Sequence, residues 1–257
     1  MTSPSAIGRL LLVPNTLDLG TSDSPAIDAV LPTAVLQTAA RLLHWVAEDA
    51  KTTRAFLKRV DAVAPLARPL QAIDIRELPR PAKGAHAAAS PVDLSPLLAA
   101  ALAGSDIGLI SEAGLPAVAD PGALLVATAH RLGIGVEALP GPSSLTLALA
   151  ASGLNGQSFA FLGYLPTDAG QRNARIQALQ QQSRRERQTQ IAIETPYRNA
   201  ALMAALVDAL APDTQLSVAC GLTLAQGWCL TRSVAQWRLQ PPEFGRHLPA
   251  VFLWLAC

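Results

Sequence analysis

The sequence predicts an α/β protein of two domains, the N-terminal one built on a mostly parallel sheet with helices and the C-terminal one on a mixed sheet with helices. Half of the 257 residues are apolar and 15% are charged, so a large core is available. Residues 107–153 run strand, turn, helix, strand, turn, helix, which is the order that builds α/β units. Beyond residue 158 strand patterns follow one another with fewer helices between them, which favours a mixed sheet. A shift in composition and spacing across 112–123 places the boundary between a domain of residues 1–115 and one of residues 116–257.

Taken in order, residues 9–13 (RLLLV) form a short buried strand that ends at Pro14-Asn15 and opens into a polar loop. Apolar residues from Leu31 to Leu43 recur near helical spacing. Residues 44–46 form a strand, and the string Glu48-Asp49-Ala50-Lys51-Thr52-Thr53-Arg54 leads into a helix over 54–60. Two carboxylates and two cations in seven residues are dense for a chain this poor in charge. They fit either a capped helix start or a functional cluster. Residues 61–96 are proline-rich and weakly patterned, with at most one strand (72–75), and read as a long surface loop or lid. A helix over 97–103 precedes the strand at 108–111, the Gly/Pro turn at 112–122, the helix at 123–131, the strand at 135–139, the turn at 140–143 and the helix at 144–151. Later come strands at 158–162, 190–193, 215–220, 228–231 and 250–255, with helices over 167–187 and 199–210. In such folds ligands bind at the carboxyl ends of the strands, where both Gly/Pro turns stand.

A formal net charge of +1 argues against a chain that holds bare nucleic acid by a general basic field. The one basic concentration is Arg172, Arg175, Arg184, Arg185 and Arg187, which is either a solvated helix face or a phosphate-contacting patch. Cys220, Cys229 and Cys257 lack metal-ligand spacing and read as reduced, buried thiols; no metal site is expected. His44, His86, His130 and His247 stand without partner patterns and read as structural. The N-terminus reads as a first strand and not a signal peptide, and no apolar run is long enough for a membrane helix, so a cytoplasmic protein is expected. Gly114, Gly122 and Gly141 leave room for main chain to approach a ligand, along paths stiffened by Pro116, Pro121, Pro140 and Pro142.

LISEAGLPAVADPG (109–122), PGPSS (140–144) with AASGL after it, FLGYLP (161–166) and ETPYR (194–198) stand in an order and spacing that resemble the tetrapyrrole-methylase superfamily of S-adenosylmethionine-dependent methyltransferases. Within it the chain most resembles the small-subunit rRNA (cytidine-2′-O)-methyltransferase family, whose pattern is S-D-A-G-T-P, D-P-G, P-G-P, G-F-L-P and E-S-P-x-R. AEDAKTTRAFL (47–57) resembles that family's A-E-D-T-R-x-T-R, and LLLVPNTLDLG (10–20) its opening strand and loop. The resemblance implies a two-domain fold with S-adenosylmethionine in the cleft between domains, and a homodimer. It implies that Gly114, Leu115, Pro116, Pro140, Gly141, Pro142, Ser143 and Ser144 line the cofactor, with Pro14, Asp120, Glu194 and Thr195 near it. Methyl transfer from a sulfonium is chiefly a matter of in-line positioning, and a ribose hydroxyl must also lose a proton. Glu48 and Asp49 are the expected acids near the acceptor and Glu112 a second candidate. Lys51 and Arg54 are expected to steer phosphate, and Arg172 and Arg175 to hold RNA of the small ribosomal subunit.

The chain departs from the family in five places: Ala50-Lys51 stands where the family has Thr-Arg, a Pro/Ala-rich stretch after residue 61 replaces a histidine-rich segment, and three motifs change. Pro14-Asn15-Thr16-Leu17-Asp18 replaces P-I-G-N-L-x-D, Gly114-Leu115-Pro116 replaces G-T-P, and Ala219-Cys220-Gly221-Leu222-Thr223-Leu224 replaces A-R-E-L-T-K. Cofactor binding therefore carries over better than substrate identity. Methylation of a tetrapyrrole or other small molecule, and a non-catalytic paralogue that binds cofactor or ribosome, stand as alternatives.

Overall fold

The computed structural model describes residues 7–18, 24–79, 92–245 and 247–256. The chain divides into two compact units, Met1–Pro142 and Ser143–Cys257.

The first unit carries strands β1 (Arg9–Leu12), β2 (His44–Ala47), β3 (Asp74–Glu77), β4 (Ile107–Ile110) and β5 (Gly135–Ala138) in the order β3-β2-β4-β1-β5, every pair parallel. Its helices are α1 (Thr33–Arg41), α2 (Ala50–Asp61), α3 (Ala99–Leu102) and α4 (Ala123–Arg131). Side chains alternate across the sheet, as the pleat requires. Leu11, Trp45, Ala47 and Ile110 pack with Val35 and Leu36 of α1 and with Phe56, Leu57 and Val60 of α2. Leu10, Val46 and Leu109 face the other way and meet Ala101, Leu125 and Ala129 of α3 and α4. β1 and β4 are neighbours whose following helices cover opposite faces, which makes their carboxyl ends the switch point where a crevice opens.

The expected boundary at 115/116 falls inside this unit. β5 pairs with β1 along Arg9↔Gly135 to Leu12↔Ala138, so the sheet extends past the first Gly/Pro turn and the unit ends at Pro142. Such parallel pairing joins residues far apart in sequence, and local spacing does not show it. α2 begins at Ala50 rather than 54, because Asp49 Oδ1 accepts from Thr52 N at 2.8 Å and Glu77 Oε1 from Ala50 N at 2.8 Å, satisfying the first turn. The loop or lid expected over 61–96 contains β3 and short 3-10 turns at Leu70–Ala72 and Ser95–Leu98, while residues 80–91, His86 among them, lie outside the described residues.

The second unit carries β6 (Phe159–Phe161), β7 (Thr189–Glu194), β8 (Gln215–Cys220), β9 (Trp228–Ser233) and β10 (Ala250–Leu255) in the order β6-β7-β10-β8-β9. β6 and β7 run parallel and the other pairs antiparallel, so the sheet is mixed as expected. β10 is central and apolar throughout because both its faces are covered. Ala250, Phe252 and Trp254 pack toward α6 (Ala169–Glu186), α7 (Asn199–Ala209) and α8 (Val234–Leu239). Val251 and Leu253 pack toward α5 (Ser144–Ser152). The stretch expected to hold a helix or a pair of helices over 167–187 carries one helix, α6, held by a stripe of Ile176, Leu179 and Ser183. Cys220 is buried and Cys229 half-buried, both unpaired, and Cys257 lies outside the described residues. Burial pushes the Cys220 thiol up to about 11. No helix among the described residues is long and apolar enough to cross a membrane.

Gly108, in the middle of β4, faces the Trp45 ring. A Cβ there would lie 2.7 Å from Trp45 Cε3 and 3.0 Å from Leu42 Cδ1. Gly108→Val should lower the unfolding free energy by about 1–3 kcal/mol, the usual cost of overpacking. A denaturant midpoint equal to that of the parent would show that the indole moves aside freely.

Candidate functional site

At the switch point the loop after β1 is tied to the turn after β4. Asn15 N–H donates to Gly114 O at 2.9 Å, and the Asn15 Nδ2 amide donates to Ser111 O at 3.1 Å and Glu112 O at 2.9 Å. Arg59 of α2 holds the same loop from behind. Its Nη2 donates to Asp18 Oδ2 at 3.0 Å and to Pro25 O at 3.0 Å, and its Nη1 to Thr16 Oγ1 at 3.1 Å. Asp18 is 2% exposed and the Arg59 side chain 28% exposed, so the carboxylate end of the pair is buried and the guanidinium end partly open to solvent.

The second turn reaches the same loop. Gly141 has no room for a Cβ, which would fall inside the Pro14 ring, and a Cβ on Gly114 would stand 3.6 Å from Pro142 O. The fold therefore brings Pro14, Gly114, Gly141 and Pro142 together, although they come from three separate stretches. Ser111, the first residue after β4, has a buried Oγ with no hydrogen-bond partner.

The acids converge on the neighbouring strand ends. Glu48 follows β2; its N–H donates to Ile110 O at 3.1 Å, and its Oε2 accepts from Glu112 N at 3.1 Å. Asp120 stands on the turn that carries Gly114, between Ala117 and Ala119 on one side and Gly122 on the other, all with positive φ. Burial first, and then the charges of Glu48 and Glu112, push the Asp120 carboxyl up to about 7. Asp49 faces a different task as the N-cap of α2. Lys51 and Arg54 extend from the first turns of that helix and are exposed.

The remaining predicted residues belong to the second unit. Ser143 is the N-cap of α5, with Ser144 the first helical residue. Glu194 closes β7, and its Oε1 accepts from Thr195 N at 2.8 Å and from Arg198 Nε and Nη2 at 3.0 and 2.7 Å. Arg172 and Arg175 occupy the start of α6, whereas Arg184 and Arg185 stand at its far end, paired with Asp213 at 3.9 Å and Glu186 at 2.7 Å. The five arginines form no single face.

Asn15, Asp18, Arg59 and Ser111 were absent from the predicted site. Asp18 and Arg59 are 41 residues apart, so only the tertiary fold pairs them. Ser111 had a usable signal, as the first residue of the SEAGLP motif. A cavity of about 580 Å³ opens at the opposite, amino-terminal edge of the first sheet, beside His44 and Arg9. Arg9 there is committed to Asp106 at 2.8 Å and Glu137 at 2.6 Å. No group of three or more His, Cys, Asp or Glu among the described residues could hold a metal ion.

A parallel sheet with helices on both faces and a switch point between β1 and β4 defines the doubly wound α/β class, in which ligands bind at the carboxyl ends of the strands. Residues 25–227 match the family model of the Tetrapyrrole (Corrin/Porphyrin) Methylases, and the chain belongs to that family. It is 32% identical over 203 residues to the ribosomal RNA small subunit methyltransferase I of Mycobacterium bovis, a match covering 79% of this chain and 62% of that protein. It is 42% identical over 127 residues to the Mesorhizobium japonicum protein of the same name, covering 49% of this chain and 42% of the relative. The Pseudomonas aeruginosa protein of that name is 45% identical over 95 residues, covering 37% and 32%. The matched part thus spans less than two thirds of each of these relatives. The uroporphyrin-III-C-methyltransferase of Thermus thermophilus shares the fold, with a TM-score of 0.50 at 18% identity over 96% of this chain and 92% of that one.

The Arg59–Asp18 pair should behave as a unit. Arg59→Ala alone leaves a buried carboxylate and should cost about 3–5 kcal/mol of stability. The Arg59→Ala/Asp18→Asn double variant should cost less than the sum of the single changes, as measured by a double-mutant cycle in urea; additive losses would show the two groups to be independent.

Proposed function

We propose that the chain is an S-adenosylmethionine-dependent methyltransferase that methylates a ribose 2′-hydroxyl of small-subunit ribosomal RNA. The observation that carries this reading is the meeting of Glu48, Glu112 and Asp120 beside the tied loops after β1 and β4. The relatives' names support the substrate class, and the family supports the methyl donor.

The residues at the switch point fit such a cofactor. Gly141 is exposed and leaves its main chain open beside Pro14, and the orphaned Ser111 Oγ offers a further polar contact. Leu115, Pro116 and Pro140 belong to the same turns of the first unit, and Ser143, Ser144, Glu194 and Thr195 are cofactor residues by the family resemblance alone. The bound cofactor would supply an electrophilic methyl on a sulfonium. The chain's own residues orient the acceptor and take its proton.

For proton removal Asp120 is the best-suited acid. A carboxyl that titrates at about 7 is half ionised near neutral pH, where a general base works with greatest effect. Glu48 and Glu112 keep it basic by their charge, and Glu48 is itself anchored by the Glu112 N–H. Asp49 contributes indirectly, by fixing the start of α2 and with it Lys51 and Arg54, which are placed to meet phosphate. A cytoplasmic location and a homodimer go with this reading, as the resemblance implies.

Isothermal titration with S-adenosylmethionine should show micromolar binding that Gly141→Val abolishes by displacing Pro14 and the loop it belongs to. Retained binding by this variant would remove the crevice from the cofactor site. Methyl transfer to small ribosomal subunits should rise with pH to a plateau, half-maximal at about 7, because Asp120 becomes a base only when it loses its proton. Glu48→Gln removes a neighbouring negative charge and should move that midpoint down. Asp120→Asn should remove the limb and most of the rate. A profile that keeps its limb in Asp120→Asn assigns the proton transfer elsewhere.

A further inference from the structure

The chain contains two tyrosines, and both stand exposed at the carboxyl ends of the neighbouring parallel strands β6 and β7. Tyr164 is 55% exposed and Tyr197 80% exposed. The two strand ends are tied directly, since Ile193 N–H donates to Gly163 O at 3.1 Å, one residue before Tyr164. Of the nine large aromatics in the unit, Trp237, Phe252 and Trp254 are at most 1% exposed, Phe159 and Phe161 of β6 are 45% and 36% exposed, and Tyr197 is the most exposed of all. A ring left 80% in water at a strand end therefore contributes little to the core.

The Tyr197 ring is also held in place. The Arg198 guanidinium lies 5.8 Å from its centroid and is itself fixed by two hydrogen bonds to Glu194 Oε1, at 3.0 and 2.7 Å. Glu194 is 9% exposed and also accepts from Thr195 N, so the cation beside the ring rests on a buried, rigid anchor. One face of the ring is thus engaged by a cation, and its exposure leaves area for a second flat partner. The helix that follows β6 brings Arg172 and Arg175 in its first two turns, and the Arg172 Nε is buried without a hydrogen-bond partner.

Exposed aromatic rings beside arginines at one sheet edge are the combination that single-stranded nucleic acid requires. Unstacked bases lie on the rings and the phosphates meet the cations. A duplex buries its base faces and has no use for a stacking ring. We infer that Tyr197, with Tyr164 beside it, is a stacking platform for unpaired bases of the RNA substrate, which the arginines at the start of α6 hold by its backbone. This inference rests on the RNA reading above and adds to it the strandedness of the substrate and the residues that select it.

The test measures binding of a fluorescein-labelled unstructured RNA dodecamer, and of a perfect duplex of the same composition, by anisotropy at fixed salt. The parent should prefer the single strand. Tyr197→Ala should weaken that binding by about tenfold, in line with the loss of one stacked base, whereas Tyr197→Phe and Tyr197→Trp should retain it. S-adenosylmethionine affinity, measured in parallel by titration calorimetry, should be the same in Tyr197→Ala as in the parent. Arg175→Ala should weaken single strand and duplex alike and lower the salt dependence. If Tyr197→Ala binds the single strand as the parent does, or loses cofactor affinity by the same factor as RNA affinity, the platform is overturned while the RNA reading stands. If the parent binds S-adenosylmethionine but neither RNA, and methylates no ribosomal subunit, the RNA reading itself fails and the platform with it.

Discussion

The tie between the loop after β1 and the turn after β4 is the constraint on which the first unit's site depends. β1 and β4 lie side by side and send their chains to opposite faces, which leaves their ends to part. The Asn15–Gly114 main-chain hydrogen bond and the Asn15 amide close that gap with fixed geometry. Asn15 is 6% exposed, so its amide must find partners, and the carbonyls of Ser111 and Glu112 supply them. Once the loop is pinned, Pro14 has a fixed place, and the residue opposite it is limited to glycine at 141. The glycine in the Pro-Gly-Pro turn thus answers to a proline more than a hundred residues earlier in the chain. The Asp18–Arg59 pair serves the same loop, connecting it to the helix whose N-terminus presents Lys51 and Arg54.

The same turn carries an electrostatic cost. Ala117 and Ala119 hold left-handed backbone at φ of 66° and 65°, where a side chain costs roughly 1–2 kcal/mol per residue. Asp120 keeps its carboxyl close to two other acids and partly out of water. Because its pKa is raised above the unfolded value of 3.8 to about 7, the native state binds the proton more tightly than the unfolded chain. This favourable contribution is present at acid pH and is lost progressively as pH rises from about 4 through about 7. A carboxyl held out of water beside two other acids is characteristic of a functional site rather than of a stabilising ion pair. Cys220 shows the opposite use of burial: pushed up to about 11, its thiol stays neutral and serves as packing.

Elements whose pattern is local were legible in the sequence. The helix at Ala123–Arg131 and the strands at Gln215–Cys220 and Ala250–Leu255 have the bounds the sequence indicates. α8 was missed because it is six residues long, although Ser233 and Gln236 spell a capping box that the structure forms. The reach of the first unit to Pro142 depends on β5 pairing with β1, and no window of sequence contains both. Among the acids, Glu48 and Glu112 could be nominated from their places at strand ends, but their contact exists only because β2 and β4 are adjacent. Asp120 could be placed in a motif, but its raised pKa comes from tertiary neighbours. The arginine series misled in the other direction. Its five members lie close in sequence, yet the helix turns Arg184 and Arg185 away from the end that holds Arg172 and Arg175.

Departures from the family pattern limit where substrate selection can reside. The segment 219–224, where related chains carry Arg, Glu and Lys, is here the closed turn at the end of β8. Gly221 N–H donates to Pro249 O at 3.0 Å, Leu224 N–H to Gly221 O at 3.0 Å, and Gly221 and Thr223 adopt positive φ. Ala219 and Cys220 point into the two cores that flank the sheet. No charge is available there to meet a phosphate or a base, so the substrate contacts proposed for the second unit lie at other strand ends. β6 and β7 are the strands that carry exposed aromatics and cations at their carboxyl ends, and at the position marked x in E-S-P-x-R this chain places a tyrosine. Loss of ionic contacts in one turn and gain of a stacking surface at another amount to the same physical exchange. On the proposed RNA reading, long-range, salt-sensitive attraction gives way to contacts that require an unpaired base, which favours discrimination for single-stranded RNA over general affinity.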